Sequence, residues 1–222
     1  MFPPLYAIID AGLLRTSGLS FAKMMAESGV EILQYRGKHS TSRQLFEVCS
    51  EIARHLPCPS KDSPQALRFI VNDRADIAHL VSAGGVHVGQ TDLGVEQARA
   101  IVGPEGWVGV STHNLGQLTA ADRTSADYIA FGPIFPTHTK EAADPVVGLE
   151  LLSEARQLTR KPLVAIGGIT LERAEQTYRA GADSLAVTRD LIAAADPAAR
   201  ARAFLQTAAR LKQAARGGAV SQ

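Results

Sequence analysis

Two aspartates, Asp73 and Asp92, and three cations, Arg36, Lys38 and Lys140, are the side chains of this sequence best placed to do chemistry. Asp73 ends one short apolar run, and Asp92 follows the next in the turn Gly89-Gln90-Thr91-Asp92. If those runs are neighbouring parallel strands, their axes lie about 4.8 Å apart and one ion can touch both carboxylates. Mg²⁺ commonly takes one or two carboxylates and completes its octahedron with water and substrate phosphate. Aspartate also caps helices, so each carboxylate taken alone has an ordinary structural explanation. A guanidinium can hold a phosphate with two parallel hydrogen bonds, while lysine supplies a mobile point charge. A single Lys or Arg at a strand end is commonly just a solvated rim. Three of them around two aspartates match the needs of Mg-pyrophosphate, with metal on one side and cations on the other. Thr137 and Thr139 can donate hydroxyl hydrogen bonds to the same anion.

A second anion site is suggested further along. Gly167 and Gly168 precede a helix expected to start near Thr170. Backbone N–H groups there, with those following the last apolar run, can form a phosphate nest. A glycine pair also serves tight turns. Of the histidines, His39, His55 and His79 read as surface or helix residues. His87 sits inside a strand with the parity of Gly85 and Gly89, opposite Val86 and Val88, so in a barrel it points inward. It serves there either as a hydrogen-bonded structural group or as a substrate contact. His113 and His138 fall on rim loops within reach of a substrate.

The elements that must position these groups are short apolar runs alternating with helical patterns. Strands are expected at Leu5 to Asp10, Glu31 to Arg36, Arg68 to Asp73, Gly85 to Gly89, Trp107 to Ser111, Tyr128 to Gly132, Leu163 to Gly167 and Ser184 to Thr188. The clearest helix starts at Thr41/Ser42 and puts Leu45, Val48, Cys49, Ile52, Ala53 and Leu56 on one face. The last begins at Asp196-Pro197, a cap followed by proline in the first turn, and turns Phe204 and Leu211 inward. Eight such units argue for parallel strands with helical crossovers. A doubly wound open sheet usually carries GxGxxG after its first strand, but here that stretch reads Asp10-Ala11-Gly12-Leu13. The expected fold is therefore a single (β/α)8 TIM barrel over residues 1–222. Pro57 to Pro64 is expected as a surface loop, and Gly217 to Gln222 as a frayed tail.

Composition narrows the function classes. The 222 residues suit one barrel, and 45% hydrophobic content is enough for a sizeable core. With 23 Lys+Arg against 22 Asp+Glu there is no global field to draw in nucleic acid or an anionic membrane, so any anion site is local. The expected partners are small molecules, with no nucleic acid and no membrane, and a homo-oligomer remains compatible. Cys49 and Cys58 form no metal-binding pair, and Cys49 on the apolar stripe of its helix is expected to be buried and inert. Met1-Phe2-Pro3-Pro4 lacks a basic region, and no stretch reaches the roughly 18 apolar residues of a membrane helix. A cytoplasmic protein is the expectation.

The motifs Gln34-x-Arg36-x-Lys38, Val71-Asn72-Asp73, His87-Val88-Gly89-Gln90-x-Asp92, Gly132-Pro133-Ile134-Phe135-Pro136-Thr137-x-Thr139-Lys140 and Ala165-Ile166-Gly167-Gly168-Ile169 resemble, in this order, those of the thiamine phosphate synthase family. The resemblance covers almost the whole chain. It implies an enzyme that joins a hydroxymethylpyrimidine pyrophosphate to a thiazole phosphate, releasing pyrophosphate and thiamine phosphate. It implies that Asp73 and Asp92 hold Mg²⁺, and that Gln34 meets the aminopyrimidine. Arg36, Lys38, Asn72, Ser111 and Lys140 would hold the pyrophosphate, with Arg36, Lys38, Ser111 and Lys140 carrying the catalysis. Thr137, Thr139, Gly168, Val187 and Thr188 would surround the second substrate and its phosphate. Nothing resembling a Ser–His–Asp, Cys–His or paired acid/base constellation is present, which suits a reaction driven by positioning and by stabilising the leaving charge.

Two positions depart from the family pattern. Gly37 stands where an acidic residue is usual, removing a charge that could orient Arg36 or Lys38. After the last strand the family commonly reads Val-Ser-Ala-Ile, whereas this chain has Val187-Thr188-Arg189-Asp190-Leu191. Arg189 there either adds a phosphate contact or pairs with Asp190. The nearest rival reading is the related thiazole tautomerase, but Pro133 occupies the place of that relative's histidine and both Asp73 and Asp92 are kept. A non-catalytic phosphate-binding barrel is the rival from another class.

Overall fold

The computed structural model describes residues 2–56, 67–137 and 145–218. Cys58, the expected loop at Pro57 to Pro64, and His138, Thr139 and Lys140 lie outside the described residues. Eight parallel strands close in sequence order into a barrel. They are β1 (Leu5–Asp10), β2 (Ile32–Arg36), β3 (Arg68–Asn72), β4 (Gly85–Val88), β5 (Trp107–Thr112), β6 (Tyr128–Phe131), β7 (Leu163–Ile166) and β8 (Ser184–Val187). Around them run α1 (Gly18–Glu27), α2 (Ser42–His55), α3 (Ala75–Leu80), α4 (Val95–Val102), α5 (Leu115–Asp122), α6 (Gly148–Leu158), α7 (Leu171–Arg179), α8 (Arg189–Ile192) and α9 (Pro197–Gly218). Each strand agrees with the sequence reading to within a residue at either end, and the closed barrel is the expected fold.

Alternation along the strands divides the interior into two cores. Outward residues such as Leu5, Ala7 and Ile9 pack under the helices, where Leu45, Cys49 and Ile52 of α2 are all buried. Thr41 and Gln44 form a reciprocal cap at the start of α2, Gln44 Oε1 accepting the Thr41 N–H at 2.9 Å. Inward residues, among them Tyr6, Ile32, Ile70, Tyr128 and Val164, fill the barrel itself. Phe2 plugs its lower end, stacked on Trp107 at 5.2 Å between ring centroids. Gly109 makes room for this filling, because a Cβ there would run into the Tyr128 ring. Asp196 Oδ1 caps α9 through the Ala199 N–H at 2.9 Å. Phe204 is fully buried but Leu211 only half-buried, and the helix continues through Gly218 into the segment expected to fray. Among the described residues no helix is long and apolar enough to cross a membrane.

Candidate active site

A cavity of about 460 Å³ opens at the carboxyl ends of the strands, where barrels of this architecture carry their chemistry. Gln34, Arg36, Asn72 and Ser111 line one end and Gly168 and Thr188 the other, with Thr137 on the same wall. The floor is the uppermost interior layer, including Ile8, Ala130, Val164 and Ala186, so a mostly apolar base carries a few convergent polar groups.

Arg36 is fixed by a carboxylate that sequence reasoning missed. The β1–β2 register sets Asp10 directly beside Arg36, and the two side chains form an ion pair. Asp10 also accepts the Gly12 N–H at 2.9 Å, which anchors it from behind. The charge absent at position 37 is thus supplied to Arg36 from the neighbouring strand. A side chain at Gly37 would in any case crowd Ser40 Oγ, at 2.7 Å from a Cβ. One clue was available: Asp10 shares the inward parity of Tyr6 and Ile8 and ends its strand.

Lys38 lies 3.1 Å from Asp73 Oδ2. Asp73 sits at φ +62°, in the left-handed region that few non-glycine residues adopt. Its N–H donates to the His87 carbonyl at 2.7 Å, and the Arg74 N–H reaches back to the Asn72 carbonyl at 2.8 Å, closing a tight turn around it. Burial raises the pKa of the Asp73 carboxyl, and hydrogen bonding with Asp92 and its charge raise it further, against the opposing pull of Lys38. The two carboxyls therefore face one another. Neither is used as a helix cap. The cap positions of α3 and α4 are Arg74 and Gly94, without side-chain capping bonds, while Asp92 Oδ2 accepts the Gly89 N–H at 2.8 Å. The ordinary explanation for these two residues fails here.

Beneath the cations runs a buried chain of hydrogen bonds. Gln34 Nε2 donates to the Tyr6 hydroxyl at 2.8 Å, which meets the Tyr128 hydroxyl at 2.8 Å. Tyr128 lies 3.1 Å from His87 Nδ1, and His87 Nε2 is 2.9 Å from Ser111 Oγ. Desolvation by burial pushes the pKa of both tyrosines well up, so both hydroxyls stay protonated donors. One ordering runs in a single direction, from Gln34 through Tyr6, Tyr128 and His87 to Ser111. In it the Gln34 carbonyl oxygen and the Ser111 hydroxyl proton are both left to the cavity. His87 thus has a hydrogen-bonded place in the floor and also lines the cavity. His113 lines the cavity too, with Nδ1 2.6 Å from the Gly132 carbonyl oxygen. Tyr6 and Tyr128 were not singled out from the sequence.

At the other end Gly168 has φ +63°, and a Cβ there would meet the Pro136 carbonyl at 2.6 Å and Phe135 Cβ at 2.8 Å. The chain after β6 lies against it, with the Phe135 N–H donating to the Gly167 carbonyl at 3.0 Å. Only glycine suits that position. The N-terminus of α7 is partly taken, since the Leu171 N–H donates to Asp190 Oδ2 at 3.0 Å. Val187 turns its side chain into the core under the helices while Ala186 and Thr188 face the cavity, so Val187 can meet a ligand only through its backbone.

Comparison with known proteins bears on what this site is for. Residues 5–191 match the family described as thiamine monophosphate synthase. The chain is 48% identical over 209 residues to a thiamine-phosphate synthase of Koribacter versatilis, covering 92% of this chain and 95% of that one. It is 42% identical over 202 residues to one of Chloroflexus aurantiacus, covering 89% of each. Among solved structures, a thiamine phosphate pyrophosphorylase from Pyrococcus furiosus superimposes with a TM-score of 0.78 at 27% identity, over 91% of this chain and 94% of that one.

Proposed function

The chain belongs to the thiamine monophosphate synthase family and has the activity of a thiamine-phosphate synthase, a transferase, and from that premise we propose that it works with Mg²⁺ held by Asp73 and Asp92. The substrates are a hydroxymethylpyrimidine pyrophosphate and a hydroxyethylthiazole phosphate. The observation that carries the metal reading is the pair of facing carboxyls, neither of which caps a helix. Their hard oxygen donors suit Mg²⁺. Among the described residues no larger His, Cys, Asp or Glu group could hold an ion, so the remaining ligands would come from water and substrate. Bound there, the ion would neutralise charge on the departing pyrophosphate.

The chain's own residues supply the rest. Arg36, oriented by Asp10, and Lys38, beside Asp73, hold the pyrophosphate with Asn72 and Lys140. The Ser111 hydroxyl, backed by His87, donates to a leaving oxygen. Gln34 gives its amide N–H to Tyr6 and keeps its carbonyl for the exocyclic amine of the pyrimidine. The bond from the pyrimidine methylene carbon to oxygen breaks with its electron pair on pyrophosphate. The electron-rich ring stabilises the cation, and the thiazole nitrogen donates its lone pair to form the new bond. Thr137, Thr139, Gly168, Thr188 and the backbone of Val187 enclose the second substrate. No protein nucleophile takes part, so catalysis rests on positioning and on electrostatics aimed at the leaving group. A cytoplasmic setting is part of the proposal and suits the free thiol of Cys49.

Incubation of both substrates with Mg²⁺, following pyrophosphate and thiamine phosphate, tests the assignment; folded protein that forms neither product refutes it. Pyrophosphate titrations with and without Mg²⁺ test the metal site. Wild type is expected to respond to the ion, and an Asp73→Ala/Asp92→Ala variant to lose that response.

A further inference from the structure

Arg189, the first residue of α8, is exposed and lines the cavity beside Thr188, and its guanidinium makes no hydrogen bond or ion pair with any described residue. Asp190 does not neutralise it. That carboxylate accepts the Leu171 N–H at 3.0 Å and lies 3.7 Å from Arg200. The other two arginines lining this end are engaged. Arg173 donates to the Gly168 carbonyl at 2.6 Å and lies over the Phe135 ring at 4.6 Å. Arg200 pairs with Glu172 at 3.2 Å as well as with Asp190. Both carboxylates thus pair with Arg200, and Arg173 is held by a carbonyl and a ring, so among the described arginines at this end Arg189 is the one whose donors stay open.

We infer that Arg189 is a specificity-determining residue that grips the phosphate of the second substrate and sets the preference for the phosphorylated thiazole over the free alcohol. The inference rests on the functional reading above. Its place selects that phosphate rather than the pyrophosphate, because Arg189 follows β8 beside Thr188 and near Gly168, whereas Arg36, Asn72 and Ser111 line the β2–β5 side. A guanidinium presents a rigid fork of donors that matches phosphate oxygens, and a charge-assisted contact at a half-open rim is worth about a factor of ten in affinity.

The test measures binding of hydroxyethylthiazole phosphate and of hydroxyethylthiazole by calorimetry, alongside steady-state kinetics, for wild type, Arg189→Ala and Arg189→Lys. Expected is an approximately tenfold weaker affinity of Arg189→Ala for the phosphate ester, with the free alcohol bound equally by all three. The KM for the thiazole phosphate should rise by the same factor, and Arg189→Lys should recover part of the loss. Equal binding of the phosphate ester by wild type and Arg189→Ala overturns the inference, as does an effect confined to the pyrimidine pyrophosphate. A wild type that binds the phosphate ester through Arg189 yet forms no thiamine phosphate refutes the catalytic reading and leaves the Arg189 inference standing.

Discussion

The hydroxyls of Tyr6 and Tyr128 meet at 2.8 Å inside the barrel, joining β1 to β6 across the floor of the cavity. Their rings lie edge to face with centroids 5.7 Å apart, and Tyr128 also stacks on His87 at 5.5 Å. The pair is the middle link of a chain whose ends, Gln34 and Ser111, serve different substrate groups in the proposed reaction. Binding of the pyrimidine and stabilisation of the leaving group are therefore tied together beneath the substrates.

Tyr128→Phe should break that link while keeping the ring. The Tyr6 hydroxyl and His87 Nδ1 each lose a partner in a buried setting, so stability should fall by about 1–3 kcal/mol. Urea unfolding measures this. The same variant should raise KM for the pyrimidine pyrophosphate and lower kcat, because Gln34 and Ser111 are both loosened. An unchanged kcat would show that the chain is structural only.

Asp10→Asn is expected to slow turnover by about 10- to 100-fold, the scale of one charge-assisted hydrogen bond in a partly buried site. The amide can still accept the Gly12 N–H, so the turn should survive. What changes is Arg36, whose carboxylate partner is replaced by a neutral amide. Kinetics should show the effect in kcat/KM for the pyrimidine pyrophosphate, with KM for the thiazole phosphate little altered. Equal effects on both substrates would instead point to a general collapse of the rim.

Asp73→Gly separates stability from function. The wild-type residue is held at φ +62° with its carboxyl facing Asp92, an arrangement that costs free energy unless an ion binds between them. Glycine adopts that φ freely and removes the like charge, at the expense of a more mobile unfolded chain. The ion pair with Lys38 is half exposed and stabilises little. Thermal or urea unfolding without Mg²⁺ should place the variant within about 1 kcal/mol of wild type, or above it. Turnover should fall by about 10²–10³, the scale of a major electrostatic interaction. A large drop in stability would contradict the strain argument.

The barrel was legible because short apolar runs alternate with helical patterns through eight units, leaving little else for the chain to form. The polar residues at strand ends were legible for the same reason, since a barrel sends them to one rim. Asp10, Tyr6 and Tyr128 were not. Their roles depend on cross-strand register and on partners up to 122 residues away, as with Tyr6 and Tyr128, and no local spacing encodes that. At Val187 strand alternation turns the side chain away from the cavity and leaves only the backbone to meet a ligand. Arg189 was visible, but its choice between substrate and Asp190 waited on finding Asp190 engaged by Leu171 and Arg200.

Alkaline pH should destabilise the protein. The Cys49 thiol, sealed under α2, has its pKa pushed up to about 12 by burial, against about 8.5 for a free thiol. Between those values the unfolded chain gives up a proton that the folded one keeps. The folded state then binds more protons, so stability falls as pH rises, by about 1.4 kcal/mol per pH unit for one such group. Above about 10 the buried hydroxyls of Tyr6 and Tyr128 and the partly buried one of Tyr178, all raised by desolvation, add losses of the same sign. Urea midpoints at pH 7.5 and 9.5 test the first part. Wild type should lose about 1.4 kcal/mol more over that interval than Cys49→Ala, which lacks the thiol in both states. A thiol reagent applied to a Cys58→Ser variant should find Cys49 unreactive until urea is added. Equal pH dependence in wild type and Cys49→Ala would show that this thiol ionises in the folded protein as freely as in the unfolded chain.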